Sequence, residues 1–364
     1  MEDILLKTPL HAWHVEHGAA MTPFAGWDMP VRYAQIREEH HHVRESVGIF
    51  DVSHMGELRI QGPTALEMAN SLFTNDLEKA LKPEGEANRA LYGAILNEAA
   101  GILDDVIAYP SSREDVLFCV NASNLPKIRA WMEKHVGAPN RLIDESGATA
   151  QLAVQGPKAP QLLTIIFGDA VSGLKPMRFV EASFRGVSVT VATTGYTGES
   201  GGEIFVPNEA ALDLCKALME AGADLGCRPI GLGARDTLRL EKGFCLYGND
   251  IDETTTPWDA GLGWVVRMAK GDFIGREALA IQKEAGVTRR LCALKMDERG
   301  VPRHGYAVRT ECGEGVVTSG TMSPILGVGI AMAYVPIDVA EGAAVEVEIH
   351  RSWRKGRVVA LPFV

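Results

Sequence analysis

Much that would announce a function at a glance is missing from this 364-residue sequence. Its six cysteines (Cys119, Cys215, Cys227, Cys245, Cys292 and Cys312) include no CxxC pair and sit mostly in apolar runs. That is the pattern of reduced, buried thiols in an intracellular protein. Positive charge is in short supply. With 36 Lys and Arg against 47 Asp and Glu, the net charge of −11 argues against bulk affinity for nucleic acid or an anionic membrane surface. The opening MEDILLKTPLHAW lacks a signal-peptide core. The longest apolar run, around Ile325 to Ile337, is broken by Gly and Pro and is too short to span a bilayer. No Gly-x-Ser-x-Gly elbow is present, and no cysteine carries a local catalytic signature. A soluble, cytoplasmic protein is expected, with neither nucleic acid nor membrane as partner.

The histidines also fall short of a metal pattern. His40-His41-His42 lies in a charged helix, REEHHHVRES, and reads as a solvated face. His11, His14 and His17 have helical spacing but no cysteine or carboxylate partner in a known metal arrangement. No metal is expected.

What the sequence does contain is an internal echo. Arg59-Ile60-Gln61-Gly62-Pro63-Thr64-Ala65 returns as Ala153-Val154-Gln155-Gly156-Pro157-Lys158-Ala159, each followed by an apolar, helix-like stretch. Both copies read as a strand ending in Gln, then Gly-Pro opening a helix, because proline suits the first helical turn. A repeat at this distance is a domain-scale strand-then-helix unit, so two related α+β units are expected in the first two-thirds. Strands are predicted over 89–97, 101–109 and 115–121, a helix over 124–135, one alternating strand over 182–194, and helices over 210–221 and 234–242. From about Arg289 the texture changes to short, evenly spaced β-rich runs (RRLCALKM, YAVRT, GVVTSG, VGIAMAYV, AAVEVEIH, RVVALPFV), which predict a small all-β sandwich or barrel. A helix in the segment 275–286 is the best linker candidate.

Three stretches carry chemistry. In GILDDVIAYP, strand alternation points Asp104 and Asp105 to opposite faces, each face otherwise apolar. A buried carboxylate without a partner is costly, so each must find one or shift its pKa. The loop Gly195-Tyr196-Thr197-Gly198-Glu199-Ser200-Gly201-Gly202 resembles a phosphate cradle but precedes a strand, not a helix, and reads as a glycine-rich hairpin. Glu203 at the mouth of that strand, with Tyr196 in the turn, could grip a flat heterocycle bearing neighbouring N–H donors. In GLGARDTLRLEKG, Gly231 and Gly233 permit a tight turn, and Asp236 favours the helix N-terminus. Arg235 gains nothing from that dipole and serves either a ligand or an ion network with Asp236. The stretch 350–357, HRSWRKGR, is a basic spot that is either a solvated hairpin or a dock for an acidic partner.

Taken together these motifs resemble the T-protein family of the glycine cleavage system, the aminomethyltransferases. TPLHAWHVEHGAAMTPFAGWDMPVRY, FDVSHMGEL, GILDD, VQGPKA, GYTGESGGE, GLGARDTLRLEKGFCLYGNDID, VTSGTMSPILGVGIAMAYV and VVALPFV occur in order over nearly the whole chain. The resemblance implies an α+β fold of three domains around a central folate channel: two related α+β units and a C-terminal β-barrel or jelly-roll-like domain. It divides the chain into a discontinuous folate-binding domain, 1–53 and 146–268, an inserted domain carrying the Asp-Asp strand, 54–145, and an all-β domain, 285–364. Asp105 maps to the aspartate that faces the folate, leaving Asp104 structural. Glu203 and Arg235 match the pterin-contacting carboxylate and arginine; Tyr92, Asn121, Tyr196 and Trp264 match channel positions. The implied reaction moves a one-carbon unit from the aminomethyl-lipoyl arm of a carrier, the H-protein, to tetrahydrofolate, with release of ammonia. Two departures stand out. The commoner Gly-Gly before the Asp-Asp strand is here Ala100-Gly101, and the family pattern runs on past LPFV to a tyrosine that closes the folate site, where this sequence stops at Val364.

Two rival readings keep part of the resemblance. A folate-dependent demethylase would share the pterin grip and differ at the donor end, and the retained Asp104-Asp105 pair favours glycine cleavage over it. A folate-binding iron–sulfur assembly protein would carry a Lys-Gly-Cys-Tyr motif, of which Lys242-Gly243-Phe244-Cys245 is a loose echo.

Overall fold

The computed structural model describes residues 4–83 and 85–364. The chain divides into two compact units. The first comprises Met1–Ser71, Asn75–Gly93 and Val106–Arg235, the second Leu72–Thr74, Ala94–Asp105 and Asp236–Val364.

The first unit is built on a seven-stranded sheet in the order Arg228–Pro229, Gly48–Asp51, Thr149–Gln155, Gly201–Pro207, Val187–Ala192, Arg178–Phe184 and Asn88–Arg89. Helices Ala159–Phe167 and Asn208–Ala221 share a core with it, through Leu162, Leu163, Leu214 and Leu218 against Leu152, Val154 and Ile204. The second of these helices buries Ala210, Ala211, Leu214, Cys215 and Leu218, the one-sided stripe that a 3.6-residue period demands. A five-stranded sheet has the order Leu91–Leu96, Ile102–Ser112, Asp115–Val120, Gly56–Gln61 and Arg141–Asp144. Within the first unit, Tyr109, Leu117 and Cys119 of this sheet pack against Phe179, Ala192 and Phe205 of the seven-stranded one.

Both copies of the echo form a strand and then a helix: Gly56–Gln61 with Ala65–Leu72, and Thr149–Gln155 with Ala159–Phe167. The shared glycine is explained. Gly156 sits at φ +133, where a Cβ would lie 2.2 Å from the Ser46 carbonyl oxygen, and Gly62 sits at φ +146 against Asn140. The prolines differ from expectation, occupying the turn ahead of each helix and not its first turn.

Two readings are corrected here. The single strand predicted over 182–194 is an antiparallel hairpin, Arg178–Phe184 with Val187–Ala192. Arg185 and Gly186 turn it at φ 51 and 85, the left-handed pair that a two-residue hairpin turn requires. The histidine-rich helix Ile36–Glu45 is not a solvated face, since Glu39 and His40 are buried. The Glu39 carboxylate accepts the backbone N–H groups of Tyr33, Ala34 and Gly231, fixing the turn ahead of its helix and a segment far along the chain. His14 is buried as well. Its Nε2 lies 2.7 Å from Asp51, and the Tyr33 hydroxyl lies 2.6 Å from its Nδ1. Burial pushes the Asp51 carboxyl up, but hydrogen bonds from His14, Ser53 and Thr8 outweigh it and hold the group below the usual range.

The second unit contains a closed six-stranded barrel in the order Arg289–Met296, Gly329–Pro336, Gly313–Met322, Ala307–Thr310, Ala344–Ile349 and Ser352–Val359. Leu294, Val308, Val317, Ala331, Val347 and Val358 fill its interior. The helix Arg276–Ala285 is not a loose tether: Leu279 is buried, and its carbonyl accepts the Trp258 indole N–H at 2.9 Å. Arg239 anchors the helix Leu232–Lys242 within this unit, donating to Asp250 at 2.8 Å and to the Ser319 hydroxyl at 2.9 Å. Asp250 also accepts from Thr318 and Ser319, so a buried ion pair is satisfied on both sides. The basic stretch at 350–357 is an exposed hairpin end with acidic neighbours. Arg357 pairs with Asp297, Glu298 accepts the Lys355 N–H, and Lys355 stands opposite Glu346 in the ladder.

All six cysteines are thiols, and only Cys312 is exposed. Burial pushes the Cys292 thiol up to about 11 and those of Cys215 and Cys227 up to about 12. Among the described residues no helix is long and apolar enough to cross a membrane.

Candidate functional site

In the first unit the site begins with a hairpin. Strands Val187–Ala192 and Gly201–Pro207 pair antiparallel with Ala192 opposite Glu203, and GYTGESGG loops between them. The loop is pinned from beneath by the buried Gln155. Its amide donates to the carbonyls of Thr194 and Gly202, while its Oε1 accepts from the Thr197 hydroxyl at 2.9 Å. Gly195 has to be glycine because a Cβ there would fall 2.0 Å from Gln155 Oε1. From the other side Arg44 donates to the Thr197 carbonyl at 2.7 Å and pairs with Glu199 at 2.8 Å.

This frame presents three side chains together. Glu203 is buried, and its Oε2 accepts the Thr194 hydroxyl at 2.6 Å, leaving Oε1 for another donor. The Arg235 guanidinium stacks over the Tyr196 ring at 4.8 Å. Its Nη1 is enclosed and has no hydrogen-bond partner. Burial lowers the Arg235 pKa, opposed by the negative charge of Glu203. Gly231 and Gly233 allow the helix carrying Arg235 to start hard against Val31 and Ile36, at Leu232, two residues earlier than predicted. The choice left open for Arg235 and Asp236 is thereby split: Asp236 pairs with Arg239 at 2.8 Å, while Arg235 takes Tyr196 and the field of Glu203.

Sequence reasoning missed Thr194, Tyr109 and His54. Tyr109 is buried between Phe179 and Phe205, and its hydroxyl lies 3.3 Å from that of Thr194. His54 is buried with its Nδ1 unpartnered, and burial, aided by the charge of Arg235, lowers its pKa to about 4. It is therefore neutral near pH 7. The visible signals were Thr194 just ahead of GYTG, Tyr109 on the strand face of Asp105, and the histidine within FDVSHMGEL. A buried acceptor with one oxygen spare, a guanidinium with an unmade bond and an aromatic ring suit a planar, nitrogen-rich heterocycle presenting both donors and acceptors along one edge. Tyr92, on the strand Leu91–Leu96, and Asn121, ahead of the turn Ala122–Asn124, are half-buried.

In the second unit the Asp-Asp strand starts from a clamped turn. Asn97 Oδ1 accepts the N–H groups of Ala99 and Gly101, and Ala100 stands at φ +67. A Cβ on Gly101 would lie 2.2 Å from the Glu253 carbonyl oxygen. Ile102 donates its N–H to Thr255 and accepts the Tyr247 hydroxyl at 2.9 Å. Asp104 is buried and Asp105 half-buried; alternation had placed them on opposite faces but not in different environments. Burial and the nearby carboxylates, Asp104 and Asp105 among them, raise the Tyr247 phenol. Burial also raises the Cys245 thiol well above its usual value, so this sulfur is no ready nucleophile. Trp264, in the turn Gly263–Val265, is 60% exposed. Among the described residues no group of His, Cys, Asp and Glu could hold a metal ion.

Two family patterns match the chain: the GCVT N-terminal domain over residues 10–270 and the glycine cleavage T-protein C-terminal barrel domain over residues 289–364. An aminomethyltransferase of Halothermothrix orenii is 44% identical over 360 residues, 98% of this chain and 99% of the relative. One of Bdellovibrio bacteriovorus is 47% identical over 362 residues, again 98% and 99%. Among solved structures, the glycine cleavage system aminomethyltransferase T of Bartonella henselae superposes with a TM-score of 0.89 at 35% identity, covering 99% of this chain and 98% of that one.

Proposed function

The chain belongs to the glycine cleavage T-protein family and is an aminomethyltransferase, and on that footing we propose how its residues divide the work. The donor is the aminomethyl-lipoyl arm of an H-protein, the acceptor is tetrahydrofolate, and ammonia leaves. When bound, tetrahydrofolate supplies the nucleophilic amine that takes up the one-carbon unit. Glu203 accepts from the 2-amino and ring N–H groups of the pterin, a charge-assisted pair that orients the ring. Arg235 donates its unmade bond to the pterin edge, and Tyr196, Tyr92, Asn121 and Trp264 line the folate's course. Asp105 holds negative charge for the reacting nitrogens, accepting or relaying a proton; Asp104 is structural. The division into 1–53 with 146–268, 54–145 and 285–364, and a cytoplasmic setting, belong to the same proposal.

The observation that carries this reading is the buried Glu203 with a spare oxygen beside an Arg235 whose Nη1 lacks a partner. The test is a single-turnover assay with aminomethylated lipoyl carrier and tetrahydrofolate. Wild type should yield methylenetetrahydrofolate and ammonia, Asp105→Asn should bind folate but turn over at least about 100-fold more slowly, and Glu203→Gln should lose folate binding. An Asp105→Asn enzyme of wild-type rate would remove Asp105 from the chemistry.

A further inference from the structure

Glu203 is not a lone carboxylate at the end of a strand; it terminates a chain of hydroxyls. Its Oε2 accepts the Thr194 hydroxyl at 2.6 Å, and the Thr194 oxygen lies 3.3 Å from the Tyr109 hydroxyl. Thr194 and Tyr109 are both buried. The direction of the chain follows from proton counting. A threonine hydroxyl has one proton, and a carboxylate oxygen can only accept it. With that proton committed to Glu203, the Tyr109 hydroxyl has to donate to Thr194. The phenol keeps its proton, since burial and the Glu203 charge raise its pKa well above the usual value.

The three residues come from three different places. Tyr109 lies on the strand Ile102–Ser112, Thr194 at the root of the GYTGESGG loop, and Glu203 on the strand Gly201–Pro207. Each is held independently. Tyr109 is wedged edge-on between Phe179 and Phe205 at 5.5 and 5.2 Å. The Thr194 carbonyl accepts the Gln155 amide at 3.2 Å, and Glu203 sits in ladders on both sides, opposite Ala153 and Ala192. A carboxylate is a two-fold rotor that can present either oxygen, or both, to a ligand. Here one oxygen already accepts a buried hydroxyl whose own backbone carbonyl is held by Gln155.

We propose that Tyr109 and Thr194 are positioning residues that lock the Glu203 carboxylate so that Oε1 is presented to the ligand, tuning the site to a heterocycle with adjacent N–H donors. This rests on the reading of Glu203 as the pterin-binding carboxylate. The occupied oxygen makes discrimination sharper. A ligand lacking the exocyclic amine leaves Oε1 short of a donor, and the carboxylate cannot rotate to repair the loss.

The test measures tetrahydrofolate binding and steady-state turnover for Thr194→Val, Thr194→Ser, Tyr109→Phe and Glu203→Gln, with a 2-desamino-2-methyl folate as the comparison ligand. Thr194→Val, nearly isosteric, should weaken tetrahydrofolate binding about tenfold, since the Glu203 carboxylate regains a rotation that binding must then freeze. The change should lie in KM and not in kcat, and discrimination against the desamino analogue should narrow. Thr194→Ser should restore both, and Tyr109→Phe should show the same narrowing to a smaller degree. Thr194→Val binding and discriminating like wild type while Glu203→Gln fails to bind would overturn the lock and leave the pterin assignment intact. So would equal weakening in Thr194→Val and Thr194→Ser, because packing alone would then explain it. Wild-type binding by Glu203→Gln would instead remove the reading on which the lock depends.

Discussion

At the scale of single residues, two buried titratable groups pull stability in opposite directions as pH changes. His54 has its pKa lowered to about 4 from 6.5, chiefly by burial. Below pH 6.5 the unfolded chain takes up a proton there that the folded protein refuses until about pH 4. Stability therefore falls as pH falls through that window, by on the order of 3 kcal/mol. Glu57 is the mirror case. Both its oxygens are buried without partners, and burial, with Asp144 and Glu145 nearby, raises its pKa well above 4.5. Above pH 4.5 the unfolded chain sheds a proton that the folded protein retains, so stability falls as pH rises until the folded carboxyl titrates. Between the two ordinary values the slopes oppose one another, and wild type should depend on pH less than a variant lacking either group. Urea denaturation at intervals from pH 4.5 to 6.5 checks this: His54→Gln should lose stability with rising pH, Glu57→Gln should gain it. Profiles parallel to wild type in both variants would show that neither group titrates as its burial requires. Neither residue was read as buried, because a histidine in FDVSHMGEL and a glutamate two residues before an arginine give no sign of burial.

At the scale of elements, the sequence was legible wherever one period dominated. The strand-then-helix echo, the helix over 125–135 and the barrel strands from Arg289 follow from side-chain alternation and turn chemistry alone. The misreadings come from interactions that periodicity does not encode. The alternation through 182–194 hid a turn because Ser183 to Ser188 keeps the pattern on both sides of Arg185-Gly186, and arginine is an uncommon first residue for such a turn. The histidine-rich helix read as solvated because its charged composition gives no sign of what covers it: one of the three N–H groups that Glu39 holds belongs to Gly231, almost two hundred residues away. The turn before the Asp-Asp strand supplies a prediction at this scale. Ala100 adopts φ +67, a region in which the Cβ crowds the backbone and glycine does not. Ala100→Gly should raise stability by about 0.5–1 kcal/mol, after the extra freedom glycine gains in the unfolded chain is deducted. Chemical denaturation would show it as a higher midpoint at unchanged slope. A lower midpoint would mean that the turn tolerates alanine at no cost.

At the scale of the whole molecule, the site was legible by type more than by geometry. Glu203, Arg235 and Tyr196 were named from their residue chemistry and motif positions, and the structure brings them together in the first unit. That Asp236 would leave Arg235 for Arg239, and that Thr194 would occupy one Glu203 oxygen, depends on rotamers set by packing, which sequence spacing does not specify. The buried sulfurs add something of a different kind. Native protein should react with a thiol reagent at one position, Cys312, and denatured protein at six. The other five are shared unevenly: Cys119, Cys215 and Cys227 lie in the first unit, Cys245 and Cys292 in the second. Counting labelled sulfurs by mass spectrometry across a denaturant series thus makes the protein its own unfolding recorder. A direct step from one label to six means that both units open together. A plateau at three means that the barrel-containing unit opened first, and a plateau at four means that the unit holding Glu203 and Arg235 did.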